Sequence, residues 1–473
     1  MSAKYPLEPD ANEMRRLVDE AMRRIVPHIE SLPLQPSVNV EGAAEFARTL
    51  IEPLPQHGMP YDKLLDDLFN EYVPRSFNAP APGYLAYIPG GGIFHAAVAD
   101  LIADAVNRYI GVFAAAPALA QLEANVVRWF CEIVGYGRGS GGVLTTGGSL
   151  ANFTAIVAAR KNFLGDDFMN ATLYCSGEVH HSFQKAANLA GFPLANVREI
   201  SVDENFRMRI DELEQAIARD DHPFLVVGSA GTTPTGAVDD LEAIARIAKK
   251  NKMWFHVDGA YGAFFMLTER GRAAMRGIEL ADSIILDPHK TLFQPYGTGA
   301  VIVRDASTFR RAFSAHAEIL PAMQVDEDLV DFCEISPELS RDFRGLRVWL
   351  PIKLFGIEPF RQQLDEKLDL IEFVTSELRK IDGIEIVAEP QLTITAFRLN
   401  KPGADRNAIT RELLERINAK KRVMLTPTIY KGEFLIRICI VSLRTHRDRI
   451  EMGLDDIRDA VAEVAASPSS LTK

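Results

Sequence analysis

Between residues 142 and 303 the chain alternates short apolar runs with stretches whose apolar residues recur at helical spacing. The apolar runs fall at 142–145, 172–175, 197–202, 224–229, 253–257, 283–286 and 299–303. Helical patterns lie between them at 150–160, 180–190, 210–218 and 241–249. Strands that alternate with helices make a mostly parallel sheet covered on both faces, so the expectation is an α/β fold on a seven-stranded sheet. In open sheets of this kind ligands bind beyond the carboxyl ends of the strands. The residues just past each apolar run are therefore the ones to inspect.

The flanks differ from this core. Residues 1–81 read as short helices broken by prolines, at 11–26, 43–51 and 61–72, with too little apolar surface to fold alone. Such an arm packs on another domain or on a second subunit, so a dimer is one of two arrangements open to it. Residues 351–473 mix helices at 360–380, 406–419 and 447–465 with strands at 384–388, 392–398, 423–425 and 434–441, as in a small α+β domain. The expected division is thus a helical arm (1–81), a large α/β domain (82–350) and a small C-terminal domain (351–473). A length of 473 residues suits more than one core. The net charge of -12, with no basic stripe, argues against a nucleic-acid partner. Cys131, Cys175, Cys333 and Cys439 are widely spaced and form no CxxC, which fits a reducing compartment. No apolar signal core opens the chain and no run is long and apolar enough to span a bilayer, so the expected location is cytoplasmic, away from membranes.

The chemistry gathers at strand ends. The apolar run 283–286 leads into Asp287-Pro288-His289-Lys290. A lysine beside apolar walls loses its proton more readily and becomes a nucleophile toward an aldehyde. Lys290 is therefore read as holding pyridoxal phosphate as a Schiff base; alone, it would be read as a solvated loop lysine. Pyridoxal phosphate also needs an acid at the pyridine nitrogen, donors for the phosphate and a group over the ring face. Asp258 ends an apolar run and supplies the acid, and small Gly259 and Ala260 after it let a flat ring approach. Gly147, Gly148 and Ser149 precede a helix whose first amides would bind a dianion, and the segment lacks the lysine of a nucleotide P-loop. His180 or His181 can stack on the ring and reach a substrate carboxylate. Thr232 or Thr233 can bond the phenolic oxygen. Each signal has a plain structural alternative, such as a helix cap for Asp258 or a turn for the glycines and threonines. Their common placement on one rim is what selects the functional reading.

With these motifs in view, the chain resembles the group II pyridoxal phosphate-dependent amino-acid decarboxylases. The likeness runs from Pro82-Gly83-Tyr84 through the segment 340–349 and into the C-terminal part. It implies a fold type I enzyme, a homodimer with active sites at the interface, and decarboxylation of an L-amino acid, an aromatic one favoured. By that likeness Lys290 is the aldimine lysine, His289 a cofactor contact, Asp258 the pyridinium partner, and Ala260 lies under the ring. His180 matches the stacking histidine, Gly148 and Ser149 the phosphate contacts, and Thr233 the threonine beside the ring. Arg437 sits where relatives can carry a carboxylate-binding arginine, with a structural salt bridge as the alternative. Tyr84, Tyr87 and Phe113 are candidates for the substrate pocket or for the core.

Two departures from the family pattern matter. Asp287 stands where many members carry an asparagine that helps hold the phosphate, so it must be turned away or offset by cations. The segment 304–350 contains no tyrosine, and Ile319 takes the place of the tyrosine that returns a proton to Cα. The likeness then allows an oxidative outcome giving an aldehyde, unless His316 supplies the proton. Rival readings are an aminotransferase, a non-catalytic binding protein, and a zinc hydrolase. The zinc site would use His256 and Asp258, which share a strand face, with His180, His181 or His289. The reading adopted requires no metal.

Overall fold

The computed structural model describes residues 5, 7–314 and 329–466. Its centre is a sheet of β1 (Gly141–Thr145), β2 (Thr172–Ser176), β3 (Val197–Ile200), β4 (Pro223–Ser229), β5 (Trp254–Asp258), β6 (Ser283–Leu286) and β7 (Gly299–Val303). The strand order is β1-β7-β6-β5-β4-β2-β3. The neighbours from β3 through β6 are parallel, whereas β7 runs antiparallel to both β6 and β1. The reason is local. The connection from β6 to β7 holds one helical turn, Pro288–Thr291, instead of a full crossover helix.

The sheet is buried on both faces, and period two decides which side chains go where. On β5, Phe255 and Val257 join the core on one face. Trp254, His256 and Asp258 therefore point to the other face, and Trp254 joins the core there. The helix Gly148–Phe163 covers that second face. Its buried side is made of Ala151, Ala155, Ala158 and Ala159, with Asn152 among them. Small residues let this helix lie close to the sheet, which brings its first turn to the ends of β5 and β6.

A second sheet contains β8 (Ile384–Ala388), β9 (Ile394–Leu399), β10 (Thr426–Tyr430) and β11 (Glu433–Cys439), in the order β10-β11-β9-β8 with every pair antiparallel. The helices Glu358–Leu378, Arg406–Ala419 and Arg447–Ala466 close a separate core against it through Ile371, Leu413 and Ile457.

Three local expectations need correction. The first helix runs Ala11–Ser31, straight through Pro27. The strand expected at 423–425 begins instead at Thr426. Met424 is spent on the segment near Tyr84, exchanging backbone bonds with Gly83 and Leu85 (2.9 and 3.0 Å) before the regular strand starts. The helix expected from residue 180 starts at Ser182, so His180 lies in the loop after β2. His316 and Ile319 lie outside the described residues.

Candidate active site

The carboxyl ends of β1, β4, β5 and β6 and the loop after β2 open onto one cavity of about 370 Å³. Gly147, Gly148, Ser149, His180, Thr232, Thr233, Asp258, Ala260, Asp287, His289 and Lys290 all line it. The sequence had placed these residues on one rim, and the structure brings them into one space.

Lys290 sits in the single helical turn that follows β6. Its amide donates to the Asp287 carbonyl (2.9 Å), and its Nζ lies 3.0 Å from Asp287 Oδ2. The loop Pro89–Gly92 packs directly on this turn. A Cβ on Gly90 would fall 2.3 Å from the His289 carbonyl oxygen, so only glycine permits that approach. Asp258 ends the neighbouring strand. Its Oδ1 accepts from the Ala260 amide (3.2 Å) and its Oδ2 from Asn152 Nδ2 at a long 3.5 Å. Among the described residues no lysine or arginine pairs with Asp258, so its charge is available to a cationic ring nitrogen.

The phosphate end is built by the turn after β1. Gly147 has φ +153°, a conformation that side chains rarely adopt, and Thr145 Oγ1 donates to its carbonyl (3.1 Å). The helix begins at once, without a side-chain cap, which leaves the amides of Gly148, Ser149 and Leu150 without intrahelical partners and facing the cavity. A Cβ on Gly148 would lie 3.1 Å from Asp287 Oδ2, so the cradle is as narrow as its backbone allows.

The two cavity histidines are held in different ways. His289 Nδ1 donates to the Thr298 carbonyl (2.6 Å), which leaves Nε2 as its acceptor, 3.7 Å from Asp287 Oδ2. Burial lowers its pKa, opposed by the nearby Asp287. His180 Nδ1 faces Ser182 Oγ (2.8 Å), and burial lowers its pKa as well. Of the paired threonines, Thr232 is committed to the turn: its Oγ1 contacts Thr235 Oγ1 (3.0 Å) and accepts from the Ala237 amide (3.1 Å).

Asp287 is not turned away. It is offset by Lys290, and among the described residues its buried Oδ1 has no hydrogen-bond partner. Tyr87, Phe113 and Arg437 are absent from the cavity lining. Arg437 is buried, donates to Thr426 Oγ1 (3.2 Å) and the Tyr87 carbonyl (3.1 Å), and meets no carboxylate among the described residues. The zinc alternative loses its central ligand. His256 has both ring nitrogens engaged, by Ser283 Oγ (2.8 Å) and Asn152 Oδ1 (2.9 Å), and no three potential ligands converge among the described residues.

Three residues of this network, Asn152, Ser182 and Ser283, escaped the sequence reading. The available signal was an asparagine on the buried, alanine-rich face of a helix, where an apolar residue is the norm.

Pyridoxal phosphate fits the donor set. An amine, an unpaired carboxylate on the adjacent strand, a narrow glycine cradle at a helix start and an imidazole share one space of suitable size.

Comparison with known proteins agrees. The family model described as the pyridoxal-dependent decarboxylase conserved domain matches residues 45–400. An aromatic-L-amino-acid decarboxylase of Bacillus atrophaeus is 33% identical over 98% of each chain. A 4-hydroxyphenylacetaldehyde synthase of Rhodiola rosea is 27% identical over 96% of this chain and 94% of its own. The crystal structure of Oryza sativa TDC with pyridoxal phosphate and tryptamine superposes with a TM-score of 0.91 over 96% of this chain and 99% of its own, at 24% identity, and so shares the fold. The chain is therefore a fold type I protein of the pyridoxal-dependent decarboxylase family, a carboxy-lyase that works with pyridoxal phosphate.

Proposed function

We propose that this enzyme removes the α-carboxylate of an L-amino acid, an aromatic one favoured, to give an amine and carbon dioxide. The observation that carries the reading is the meeting of Lys290, Asp258, His180 and the helix start at Gly148 in one cavity. Bound pyridoxal phosphate supplies an electron sink for the bonding pair left on Cα as carbon dioxide departs. The remaining work falls to the chain's own groups. Lys290 would hold the cofactor covalently through Nζ. Asp258 keeps a proton at the ring nitrogen. Ala260 and His180 bound the ring slot, Thr233 and His289 border it, and Gly147, Gly148 and Ser149 form the phosphate cradle. Arg437 lies outside the cavity lining, and its assignment to the substrate carboxylate rests on the family likeness. Tyr87 and Phe113 are assigned to the substrate side, and His316 to proton delivery at Cα. The aromatic preference is supported by the name of the 33% identical Bacillus relative.

A second reading has its own support. Ile319 replaces the proton-donating tyrosine, and one relative is an aldehyde synthase. In that reaction carbon dioxide leaves, oxygen takes two electrons and two protons to become hydrogen peroxide, and water displaces ammonia to supply the aldehyde oxygen. Incubating the holoenzyme under air with a panel of amino acids separates the cases. Carbon dioxide and amine without peroxide support the first reading, whereas aldehyde with peroxide supports the second. No carbon dioxide from any amino acid overturns both.

The assembly we infer is a homodimer. The helices Ala11–Ser31 and Ala43–Thr49 bury no side chain within the chain, and Val98, Leu101, Ile102 and Val106 leave an apolar face on the helix Phe94–Val106. Among the described residues no helix is long and apolar enough to cross a membrane, and we place the enzyme in the cytoplasm. We keep the division into arm (1–81), large domain (82–350) and small domain (351–473).

A further inference from the structure

Behind the cavity wall runs a continuous chain of buried hydrogen bonds, and its direction is fixed where Asn152 meets the Asp258 carboxylate. Trp254 Nε1 can only donate, and it donates to Ser283 Oγ (2.8 Å). The Ser283 proton is then free for His256 Nδ1 (2.8 Å). Burial lowers the pKa of His256 to about 4, so the ring is neutral at working pH and its one proton sits on Nε2, donated to Asn152 Oδ1 (2.9 Å). The Asn152 amide group turns its two protons toward Ser182 Oγ (3.1 Å) and Asp258 Oδ2 (3.5 Å). Rotating that amide by half a turn would set its oxygen against the Asp258 carboxylate, so the orientation is forced. The Ser182 backbone amide donates to His180 Nδ1 (3.3 Å), which makes that nitrogen an acceptor, so the Ser182 hydroxyl beside it (2.8 Å) gives it the Oγ proton as well. Trp254, Ser283, His256, Asn152 and Ser182 are all buried, so no solvent competes along the chain.

We propose that Ser182 and Asn152 are positioning residues that hold His180 as the neutral imidazole with its proton on Nε2, the nitrogen left for the cavity, and that the Asn152 amide ties this state to Asp258. The proposal rests on the reading of His180 and Asp258 as the groups at the ring face and the ring nitrogen. Its chemical content is specific. If Asp258 holds a cationic ring nitrogen, a second cation stacked over that ring is unfavourable, whereas a neutral imidazole is not. The same tautomer offers a donor N–H, which a substrate carboxylate can accept. The charged and titratable groups around His180 are Asp258 and Asp287, which favour its protonation, and His181 and Lys290, which oppose it. The Ser182 hydroxyl adds a neutral donor that favours the unprotonated Nδ1.

The test is the ring nitrogen spectrum of the full-length holoenzyme labelled with 15N-histidine, with His180 assigned by its loss in His180→Gln. The wild type is expected to show a neutral His180 protonated at Nε2. In Ser182→Ala the protonation midpoint should rise by about 0.5–1 pH unit, the value of one neutral hydrogen bond. The acid limb of kcat/KM should move up by the same amount, and Ser182→Thr, which keeps the hydroxyl, should bring both back. A wild-type proton on Nδ1 overturns the proposal, as does a Ser182→Ala enzyme in which neither midpoint nor limb moves. If Ser182→Ala does not accumulate as folded protein, the wild-type tautomer decides alone. The spectrum needs no substrate, so an enzyme inert toward every amino acid would end the functional reading and leave this one standing.

Discussion

Asp258 and Asp287 end adjacent parallel strands, both are buried, and both line the same cavity. Their surroundings are opposite. Among the described residues Asp258 receives only neutral N–H donors, from Ala260 and Asn152, and pairs with no lysine or arginine. Asp287 has Lys290 Nζ at 3.0 Å and leaves Oδ1 with no donor at all. A buried carboxylate without a counter-ion is costly unless a ligand supplies one, whereas a carboxylate that already has its cation has less to gain from one. On this argument Asp258 is built to meet a positive ligand atom, and Asp287 to manage a positive side chain of its own chain.

The comparison breaks most visibly at Lys290. Lys290→Ala should take activity to background and abolish the visible absorbance of the covalently held cofactor. A variant that keeps the wild-type spectrum would place the covalent site elsewhere. Next comes Asp258→Asn, which keeps the shape and the Ala260 contact but removes the charge. Loss of one electrostatic partner of the reacting system costs on the order of 10²–10³ in kcat. A loss below tenfold would mean that the carboxylate does not face the ring nitrogen.

The Asp258 side also makes a prediction about stability. His256 is fully buried, and its pKa of about 4 lies below the ordinary 6.5. Above pH 6.5 neither the folded nor the unfolded chain protonates it. As pH falls from 6.5 toward 4 the unfolded chain takes up the proton and the folded chain does not, so stability is lost over that window. Asp239, raised to about 6 by burial, acts in the opposite sense: it binds a proton in the folded state first, and that contribution fades as pH rises from 3.8 through 6. The two overlap, so the whole-protein curve hides both. The difference between wild type and His256→Gln isolates the histidine. Urea unfolding should show that difference shifting against the wild type by about 2 kcal/mol between pH 7.5 and pH 5. A difference that does not change with pH would show that His256 is protonated inside the fold.

How much of this was legible in the sequence follows from range. Strands β2, β4, β5, β6 and β7 were readable because a strand buried on both faces is a short apolar run, and Asp258 and Lys290 stood out as polar groups just beyond such runs. The antiparallel turn of β7 was not, because apolar runs carry no direction. The displacement of β10 was not, because Met424 is drawn off by a partner near Tyr84, far away in sequence. Asn152 stayed hidden for the same reason, and Ser182 because its link to the ring-nitrogen side runs through Asn152. Asn152 bonds His256 and Asp258 more than a hundred residues away, so its place on an alanine-rich face marks it as unusual without naming its partners. Asp287 was seen as a departure, yet its pairing with Lys290 depends on side-chain direction within one helical turn.

The smallest expected effect sharpens the contrast between the two carboxylates. Asp287 Oδ2 lies within 3.1 Å of the Cβ position of Gly148, at the mouth of the cradle assigned to the phosphate. A carboxylate there opposes a dianion, and Lys290 Nζ offsets it only while that amine remains a cation. Asp287→Asn removes the opposing charge and adds an N–H donor. Pyridoxamine phosphate is the right probe, because it carries the ring and the phosphate but no aldehyde for Lys290 to capture. Its affinity should rise about fivefold in Asp287→Asn, as for one modest charge contact, and the gain should shrink as salt is added. The same probe should bind more weakly to Asp258→Asn, since that variant loses the partner of the ring nitrogen. Opposite signs from two buried carboxylates on neighbouring strands would establish the division of labour between them. Equal signs would mean that Asp287 helps to hold the ligand, and that its unpartnered oxygen is turned to a proton rather than away from a phosphate.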